Sequence, residues 1–394
     1  MRIAFFVEIF YPEINGVLTA TLDLARNLKN RGHHVLLVAP KAKESEAVRE
    51  IDGMEVFKVP SVSAYMYPGL RGNNPWSRAV RRKMREDKID IVHTTGPGTM
   101  CYAAISCARK YGMSVVQTFH TLLNEDTYLL YLVRFKRLLP LGRFIAWRYM
   151  GMFIRGSDLI TAPSRFVCDE LEKRYPQKTV RHISNGIDFS LFKDFPSEEE
   201  FARRYPCYNK KTFVFVGRVG LEKSIDVLIR SFASAAKTGP ELRLVIVGDG
   251  PSRAAMTSLA SEMGAAGNIV FLGKIPHADL LKSGVLQYAR AFVTASVTEN
   301  QPMTVIEASC CALPLVVADT PGMREIVSGN ALLFPPGDEA ALTRAILDLA
   351  ADEALCGQLR SASRAISSRF DGMNVARQFE DEYRKLLEEK SSAK

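Results

Sequence analysis

The chain has 394 residues, of which 47% are hydrophobic and 24% charged, and it carries a formal net charge of +9. Its length predicts two domains, and its composition is that of an ordinary globular protein. No apolar run approaches the roughly 18–20 residues of a transmembrane helix, and Met1 leads directly into a strand-like segment rather than a signal peptide. Seven cysteines without a CxxC pair argue against a disulfide framework and a zinc site, so we expect reduced thiols and a cytoplasmic location.

The positive charge belongs to one half of the chain. Residues 1–190 hold 28 Lys and Arg against 18 Asp and Glu, which leaves a net charge of −1 for the remainder. An uneven excess of this kind indicates contact with an anionic surface or polymer. We therefore expect only the first half of the chain to make such a contact.

Short apolar runs alternate with helical patterns through the first half. Continuous apolar runs of this length are typical of buried parallel strands. The predicted strands cover residues 2–8, 34–39, 89–94, 114–119, 158–163 and 179–184. The predicted helices between them cover residues 18–31, 75–87, 98–111 and 164–175.

A second series of the same kind follows residues 186–211, which we interpret as a linker because turn and charged residues replace periodicity there. Its predicted strands are 212–217, 242–248, 268–273, 290–296 and 313–319. Its predicted helices are 223–236, 251–263, 277–287 and 302–311, and a last helix covers about 370–390.

Two successive βαβ series predict an α/β protein with two Rossmann-like domains facing each other across a cleft. We place the N-terminal domain at residues 1–190 and the C-terminal domain at 191–370. A final helical segment, 371–394, could cross back to the first domain. Ligands of such folds bind at the carboxyl ends of the strands, so the cleft is the expected site.

The segment FVGRVGLEKS places two cations after a predicted strand. Arg218 and Lys223 stand five positions apart, which suits a diphosphate held between a loop and a helix N-terminus. A solvated basic loop is the alternative. The segment VGDGPS, with Gly248 and Gly250, is a second tight turn after a strand, and the absence of GxGxxG removes the main support for a nicotinamide or flavin enzyme.

The segment TENQPMTVIEA sets Glu299 and Glu307 on either side of Pro302. Proline is favoured at the first helical position, so we expect a helix to begin within one residue of Pro302. Glu299 then precedes the helix near its partly positive end, and Glu307 lies on the helix body. This arrangement suits a polyhydroxylated ligand that carries an anion.

Two features of the first half would face the carboxyl edge of its sheet. Asn15 and Gly16 follow the first strand, and a glycine there lets backbone N–H groups approach a phosphate or sugar, although a plain turn is equally consistent. His120 ends another strand, where a structural histidine is the common alternative. DxD, HExxH and metal-type Cys/His clusters do not occur, so the sequence supports no metal site.

A basic, aromatic surface is predicted from two segments. Residues 132–156 hold six cations and no acid among large apolar side chains, which is typical of an amphipathic segment lying on anionic lipid. Residues 77–87 add a second basic cluster. The alternative is two solvated helices with apolar faces packed inward, and no nucleic-acid motif is present. The predicted membrane or acceptor residues are Arg78, Arg81, Arg82, Lys83, Arg134, Lys136, Arg137, Arg143, Trp147 and Arg148.

The ordered motifs NGV, ISNGIDFSLF, GRVGLEK, VGDGP and the Glu-x7-Glu pair resemble the retaining glycosyltransferases of family four, over roughly residues 1–370. The resemblance implies the GT-B fold and a nucleoside diphosphate sugar as donor, and we expect neither a cofactor nor a metal. It implies that Glu299 contacts hexose hydroxyls, Glu307 the ribose, and Arg218 with Lys223 the diphosphate, while His120 approaches the sugar. The further predicted donor-site residues are Gly16, Gly248, Gly250, Ile275, Asn300, Gln301, Met303 and Thr304.

The chain departs from the family pattern at two places. Asn15 stands where a first glycine is common, and Asn300, Gln301 and Pro302 replace the usual residues after the first glutamate. The segments QTFHTLLNEDTYLLY (117–131) and SVTENQPMTVIEA are similar to those of diacylglycerol glucosyltransferases. This subgroup resemblance favours a lipid acceptor.

These features together predict a hexosyltransferase bound peripherally to the cytoplasmic face of a membrane. It would move a hexose, with glucose favoured, from a UDP-sugar to a lipid hydroxyl such as that of diacylglycerol. His120, Glu299, Arg218 and Lys223 are the predicted catalytic residues. The alternatives are a soluble or polysaccharide-precursor acceptor, mannosyl transfer to a phosphatidylinositol-type lipid from a guanine nucleotide, and a non-catalytic nucleotide-sugar or lipid sensor.

Overall fold

A computed structural model describes residues 1–13, 15–63, 70–123, 129 and 136–392. The chain divides into two compact units, one formed by Met1–Ile187 with Gly372–Lys394 and the other by Asp188–Asp371. Each unit is built on a sheet whose strands are almost all parallel. Within the described ranges, no helix is both long and apolar enough to cross a bilayer.

The first unit contains an eight-stranded sheet and a small hairpin. Its strands are β1 (Arg2–Phe6), β2 (His34–Pro40), β3 (Glu50–Ile51), β4 (Met54–Val59), β5 (Ser61–Ser63), β6 (Arg71–Asn73), β7 (Ile91–Thr94), β8 (Ser114–Thr118), β9 (Leu159–Ala162) and β10 (Val180–His182). The sheet order is β10-β9-β8-β7-β1-β2-β4-β3, in which β3 pairs antiparallel with β4, and β5 pairs with β6 separately. The predicted strands of this half are confirmed, whereas β3 to β6 were not predicted because their polar residues interrupt any apolar run.

Five helices in the described part of the first half cover this sheet, and all except the one at Leu139–Gly156 lie where a helix was predicted. They are α1 (Gly16–Asn30), α2 (Arg78–Glu86), α3 (Thr99–Tyr111), α4 (Leu139–Gly156) and α5 (Arg165–Arg174). The Asn15 side chain accepts a hydrogen bond from the Leu18 backbone N–H at 2.9 Å and so caps α1. This cap gives a structural reason for asparagine at a position where the family commonly has glycine.

The second unit contains a six-stranded parallel sheet. Its strands are β11 (Thr212–Val216), β12 (Arg243–Val247), β13 (Ile269–Gly273), β14 (Ala291–Thr294), β15 (Leu315–Ala318) and β16 (Ala331–Phe334), in the order β13-β12-β11-β14-β15-β16. Its helices are α6 (Glu198–Arg204), α7 (Ile225–Thr238), α8 (Arg253–Glu262), α9 (His277–Lys282), α10 (Met303–Cys310), α11 (Pro321–Ile326), α12 (Glu339–Ala351) and α13 (Glu353–Ser367). This strand order is that of a dinucleotide-binding Rossmann fold, and it reverses direction between β11 and β14.

Two predictions for the second half need correction, and four further elements were not predicted. Residues 186–211 are not only a linker, because they contain α6, whose Ser197 and Glu200 form a capping box. The Ser-x-x-Glu pattern is the signal that would have shown this helix. The helix predicted at 277–287 ends at Lys282, close to Gly284 with its left-handed φ of 82°. The elements that were not predicted are strand β16 and helices α11, α12 and α13.

The last helix, α14 (Gly372–Ser392), belongs to the first unit and packs against α1. The Glu380 carboxylate accepts from the Arg31 guanidinium at 2.5 Å. The buried Tyr383 hydroxyl lies 2.6 Å from Nδ1 of His93 on β7. The chain therefore leaves the first unit after Ile187, forms the second unit, and returns to complete the core of the first.

Candidate active site

The loops that follow β11, β12 and β13 are packed tightly against one another. The Gly217 N–H donates to the Val247 carbonyl at 2.9 Å, and the Gly248 N–H donates to the Gly273 carbonyl at 2.8 Å. Gly248 has a φ of 137°, and a Cβ atom there would lie 1.8 Å from the Gly217 carbonyl oxygen. Only glycine fits at this crossing, which places the β11 and β12 loops together beside the point where the strand order reverses.

Lys223 and Glu299 form an ion pair at this edge of the second sheet, although 76 residues separate them in the chain. The Ser296 hydroxyl donates to the same Glu299 oxygen, Oε1, at 2.8 Å. Arg218 lies nearby in sequence, and its guanidinium is 3.8 Å from the Glu222 carboxylate. The structure thus brings a predicted cation and a predicted sugar-binding acid into direct contact. Ser296 was missed, although a hydroxyl three residues before the acid was visible in the sequence.

The segment between the two glutamates is fixed by the backbone around it. Helix α10 begins at Met303 with Pro302 at its cap, which confirms the helix start predicted from that proline. Asn300 and Gln301 are buried. A Cβ atom on Gly322 would lie 2.0 Å from the Glu299 carbonyl oxygen, so the start of α11 presses directly on this segment. The loop that presents Glu299 is therefore fixed between the start of α10, which it leads into, and the start of α11, which packs against it.

Glu307 is buried on α10 and pairs with a histidine that the sequence analysis did not single out. Nε2 of His277 lies 2.7 Å from Glu307 Oε1. Among the residues that the structure describes, the other oxygen of Glu307, Oε2, is buried without a hydrogen-bond partner. His277 opens α9, two residues after Ile275, and this proximity to a predicted site residue was the available signal.

In the first unit, two predicted site residues follow strands of the sheet. Gly16 is the first residue of α1, directly after the Asn15 cap. His120 comes two residues after β8, and burial lowers the pKa of its imidazole to about 4. The imidazole of His120 is therefore uncharged at pH 7.

Glu8, which was not predicted, anchors the loop after β1 to the start of α3. Its carboxyl oxygens accept from the Cys101 N–H at 2.8 Å and the Met100 N–H at 3.3 Å. A Cβ atom on Gly98 would lie 2.3 Å from this carboxyl group. Burial raises the pKa of Glu8 to about 7, against the lowering effect of these backbone hydrogen bonds.

Several residues of the predicted basic surface are buried or make contacts within the first unit. Trp147 was wrongly predicted to face a membrane, because it is 6% exposed and packs in a core with Phe119 and Met150. Arg81 donates to the Ser106 hydroxyl at 3.0 Å, and Lys83 pairs with Glu55 at 2.8 Å. The predicted cations that remain exposed are Arg78, Arg82, Arg137, Arg143 and Arg148, whereas Arg134 and the side chain of Lys136 lie outside the described residues.

Helix α4 exposes large apolar side chains instead of Trp147. Phe144 and Ile145 are 59% and 57% exposed, and Leu141 and Met152 are about half exposed. Arg148 is exposed on the same side of the helix, since it lies three to four residues from each of Phe144, Ile145 and Met152. The predicted basic and apolar face therefore exists on α4, but different residues form its apolar part.

Metal-ion binding has no visible support in the residues described. No group of three or more His, Cys, Asp or Glu side chains in that part of the chain could hold a metal ion. The charged side chains at the carboxyl edge of the second sheet include Arg218, Lys223, Glu299 and Glu307.

Two Rossmann-like units, with paired cations and acids at the carboxyl edge of the second sheet, define the class of GT-B glycosyltransferases. Residues 14–191 match the family model described as Glycosyltransferase Family 4, and residues 197–366 match the model Glycosyl transferases group 1. The chain belongs to glycosyltransferase family 4 and is a sugar-transferring enzyme.

Several known proteins are similar to this chain. An alpha-monoglucosyldiacylglycerol synthase from Streptococcus pneumoniae is 24% identical over 83% of this chain and 73% of its own length. A GDP-mannose-dependent alpha-mannosyltransferase from Mycobacterium tuberculosis is 29% identical over 86% of this chain and 85% of its own. The structure of Anabaena HepE with UDP-glucose matches with a TM-score of 0.76 over 98% of this chain and all of that one, at 17% identity, and confirms the fold.

Proposed function

We propose that this enzyme moves a hexose, with glucose favoured, from a nucleoside diphosphate sugar to the hydroxyl of a membrane lipid such as diacylglycerol, with retention at the anomeric carbon. The observation that carries the lipid acceptor is the exposed apolar and basic face of α4. The donor side is supported by the ion pair of Lys223 with Glu299 and by the family to which the chain belongs.

The donor would lie along the start of α10. Lys223 and Arg218 would neutralise the diphosphate, assisted by the backbone N–H groups of Met303 and Thr304 at the helix start. Both hydrogen bonds to Glu299 are made at Oε1, so Oε2 is placed to accept from a hexose hydroxyl. His120, with its uncharged imidazole, would approach the hexose as the family resemblance implies.

In the proposed step, the bond between the anomeric carbon and the diphosphate oxygen breaks while the acceptor oxygen attacks from the same face of the sugar. The acceptor proton passes to the departing diphosphate. Negative charge grows on the diphosphate as the bond breaks. Preorganised cations therefore stabilise the transition state more than they stabilise the bound donor. Lys223, fixed by Glu299, is such a cation.

The α4 face is suited to a lipid surface. An exposed row of Leu141, Phe144, Ile145 and Met152 is a large apolar area for a monomeric protein to leave in water. Arginines on the same helix attract anionic head groups, and the first half of the chain carries the whole positive excess. Two relatives are alpha-monoglucosyldiacylglycerol synthases, one of them from Acholeplasma laidlawii at 26% identity.

A second candidate is transfer of mannose from GDP-mannose to a lipid. It is favoured by the 29% identity to the GDP-mannose-dependent alpha-mannosyltransferase of Mycobacterium tuberculosis. A soluble acceptor would leave the α4 face without a role. A non-catalytic sensor would have no need of the paired Lys223 and Glu299.

The test is to incubate the purified protein with labelled UDP-glucose, UDP-galactose or GDP-mannose and vesicles containing diacylglycerol, at two contents of anionic lipid. We expect label from UDP-glucose in the organic phase, in an amount that increases with anionic lipid. Label from GDP-mannose would establish the second candidate instead. Label that stays in water while nucleotide is released would show a soluble acceptor and contradict the lipid assignment.

A further inference from the structure

His277 and Glu307 come from different elements of the second unit and meet at the edge where the donor is proposed to bind. His277 opens α9 after the β13 loop, and Glu307 lies about one turn inside α10. Their side chains are 24% and 2% exposed, and Nε2 of His277 lies 2.7 Å from Oε1 of Glu307. Since a carboxylate oxygen only accepts, the imidazole donates this hydrogen bond from Nε2.

The two oxygens of Glu307 are in different situations. Oε1 is satisfied by His277, whereas Oε2 is buried without a hydrogen-bond partner in the described part of the second unit. Buried carboxylate oxygens are rarely left in this state, because their lost hydration is not replaced. A ligand hydroxyl donated to Oε2 would complete the carboxylate.

The position of Oε2 depends on the last side-chain torsion of Glu307. In glutamate this torsion has a broad, roughly two-fold preference, so the backbone and the usual rotamers do not set it. The hydrogen bond from His277 fixes Oε1 and thereby fixes Oε2 as well. It also connects the β13 loop, which contains the predicted donor-site residue Ile275, to the acid on α10.

We infer that His277 is a positioning residue for the ribose of the donor nucleotide, because it holds the Glu307 carboxylate with Oε2 turned to accept from the ribose hydroxyls. This inference rests on the proposed nucleotide-sugar donor. It adds that discrimination between ribose and 2′-deoxyribose depends on a histidine that does not itself contact the sugar. A histidine that only stabilised the fold would leave this discrimination unchanged.

The test measures nucleotide binding by titration calorimetry, with UDP, GDP and their 2′-deoxy forms as probes. The variants are His277→Ala, which removes the donor, and His277→Gln, which keeps an N–H group at a similar reach. Lys282→Ala is the matched control, since Lys282 is an exposed residue of the same helix. Thermal unfolding of each variant shows whether it is folded.

We expect His277→Ala to weaken binding of the preferred ribonucleotide about tenfold while changing the 2′-deoxy form less than about twofold, so that the preference for ribose is lost. His277→Gln should restore part of that preference, and Lys282→Ala should match the wild type. In turnover with the matching donor, KM for the donor should rise in His277→Ala while kcat at saturation stays within about twofold of the wild-type value.

An unchanged ratio of ribose to deoxyribose affinity in a folded His277→Ala variant would overturn the inference, as would a wild-type protein that binds both forms equally. Wild-type protein that binds neither nucleotide would contradict the proposed donor and the inference with it. Nucleotide binding without sugar transfer to lipid would refute only the acceptor, because the inference concerns the donor alone.

Discussion

At the residue scale, the proposed chemistry depends most on Lys223. We expect Lys223→Met to lower kcat about 100- to 1,000-fold, because one preorganised charge at the leaving diphosphate is lost. The measurement is steady-state turnover with donor in excess, together with thermal unfolding. Lys211→Met is the matched control, since Lys211 also pairs with a glutamate, Glu241 at 2.7 Å, but at an exposed edge of the same unit. Near-normal turnover of folded Lys223→Met would show that the role is wrongly assigned.

Glu8 should make the stability of the first unit depend on pH. Burial raises the pKa of its carboxyl from 4.5 to about 7, so the folded chain keeps a proton that the unfolded chain has lost. The resulting stabilisation is fully present below about pH 4.5 and disappears as the pH rises through about 7. Its size is about 3 kcal/mol, from 1.36 kcal/mol for each unit of pKa shift.

The variant Glu8→Gln tests this dependence, since the amide keeps an acceptor for the α3 backbone but has no proton to lose. Thermal unfolding between pH 5 and about pH 8 should show a flatter decline in Tm for Glu8→Gln than for the wild type. Glu44→Gln, which changes an exposed carboxyl, should follow the wild type. Parallel curves for Glu8→Gln and wild type would mean that Glu8 ionises normally in the folded chain.

At the element scale, the sequence predicted those strands and helix ends that are specified by a local residue pattern. Buried strands such as β1 and β11 are continuous apolar runs, and Pro302 marks the start of α10. The same reasoning failed for β4, in which Glu55 and Lys58 interrupt the apolar run although Met54, Val56 and Val59 are buried.

The sequence predicted which residues form much of the candidate site, but it did not predict the contacts between them. Lys223 and Glu299 are 76 residues apart in the chain, and His277 and Glu307 are 30 residues apart. No local signal in the sequence specifies either contact. Trp147 shows the same limit on a helix. The composition of α4 indicates an amphipathic segment, but which aromatic side chain faces inward depends on the core formed by Phe119, Met150 and Ile160.

This difference between the two faces of α4 gives a prediction. The double substitution Phe144→Ser and Ile145→Ser removes two exposed apolar side chains, so vesicle binding should weaken at least about tenfold while Tm changes by less than about 2 °C. Co-sedimentation with anionic vesicles measures the binding. Trp147→Ala should lower Tm and leave vesicle binding of the folded protein unchanged. Loss of a buried Trp costs about 3–5 kcal/mol of stability without altering the exposed face. Unchanged vesicle binding in the double variant would exclude α4 as the membrane contact.

At the scale of the whole molecule, the first unit is discontinuous, and α14 supplies part of its core. Val375, Ala376, Phe379 and Tyr383 are buried in one cluster with side chains of β1 and α1. The Tyr383 hydroxyl reaches His93, whose Nε2 lies 2.7 Å from the Thr118 hydroxyl at the end of β8. A series of buried hydrogen bonds thus connects the last helix to the strand that precedes His120. Burial lowers the pKa of His93 to about 3, so the imidazole in this series is neutral.

The discontinuity predicts which pieces of the chain fold. The Gly372 N–H donates to the Ile187 carbonyl at 2.9 Å, so the two points where the chain leaves and re-enters the first unit are already in contact. A chain in which a short Gly-Ser linker replaces residues 188–371 should therefore unfold cooperatively. Residues 1–187 alone should not, because they lack several buried side chains of α14, each worth about 1.5–3 kcal/mol, against a total stability of about 5–15 kcal/mol. Thermal melts followed by circular dichroism measure the cooperativity of unfolding of the linked chain, of residues 1–187 and of residues 188–371. If the linked chain and residues 1–187 unfold with equal cooperativity, α14 is dispensable for the core of the first unit.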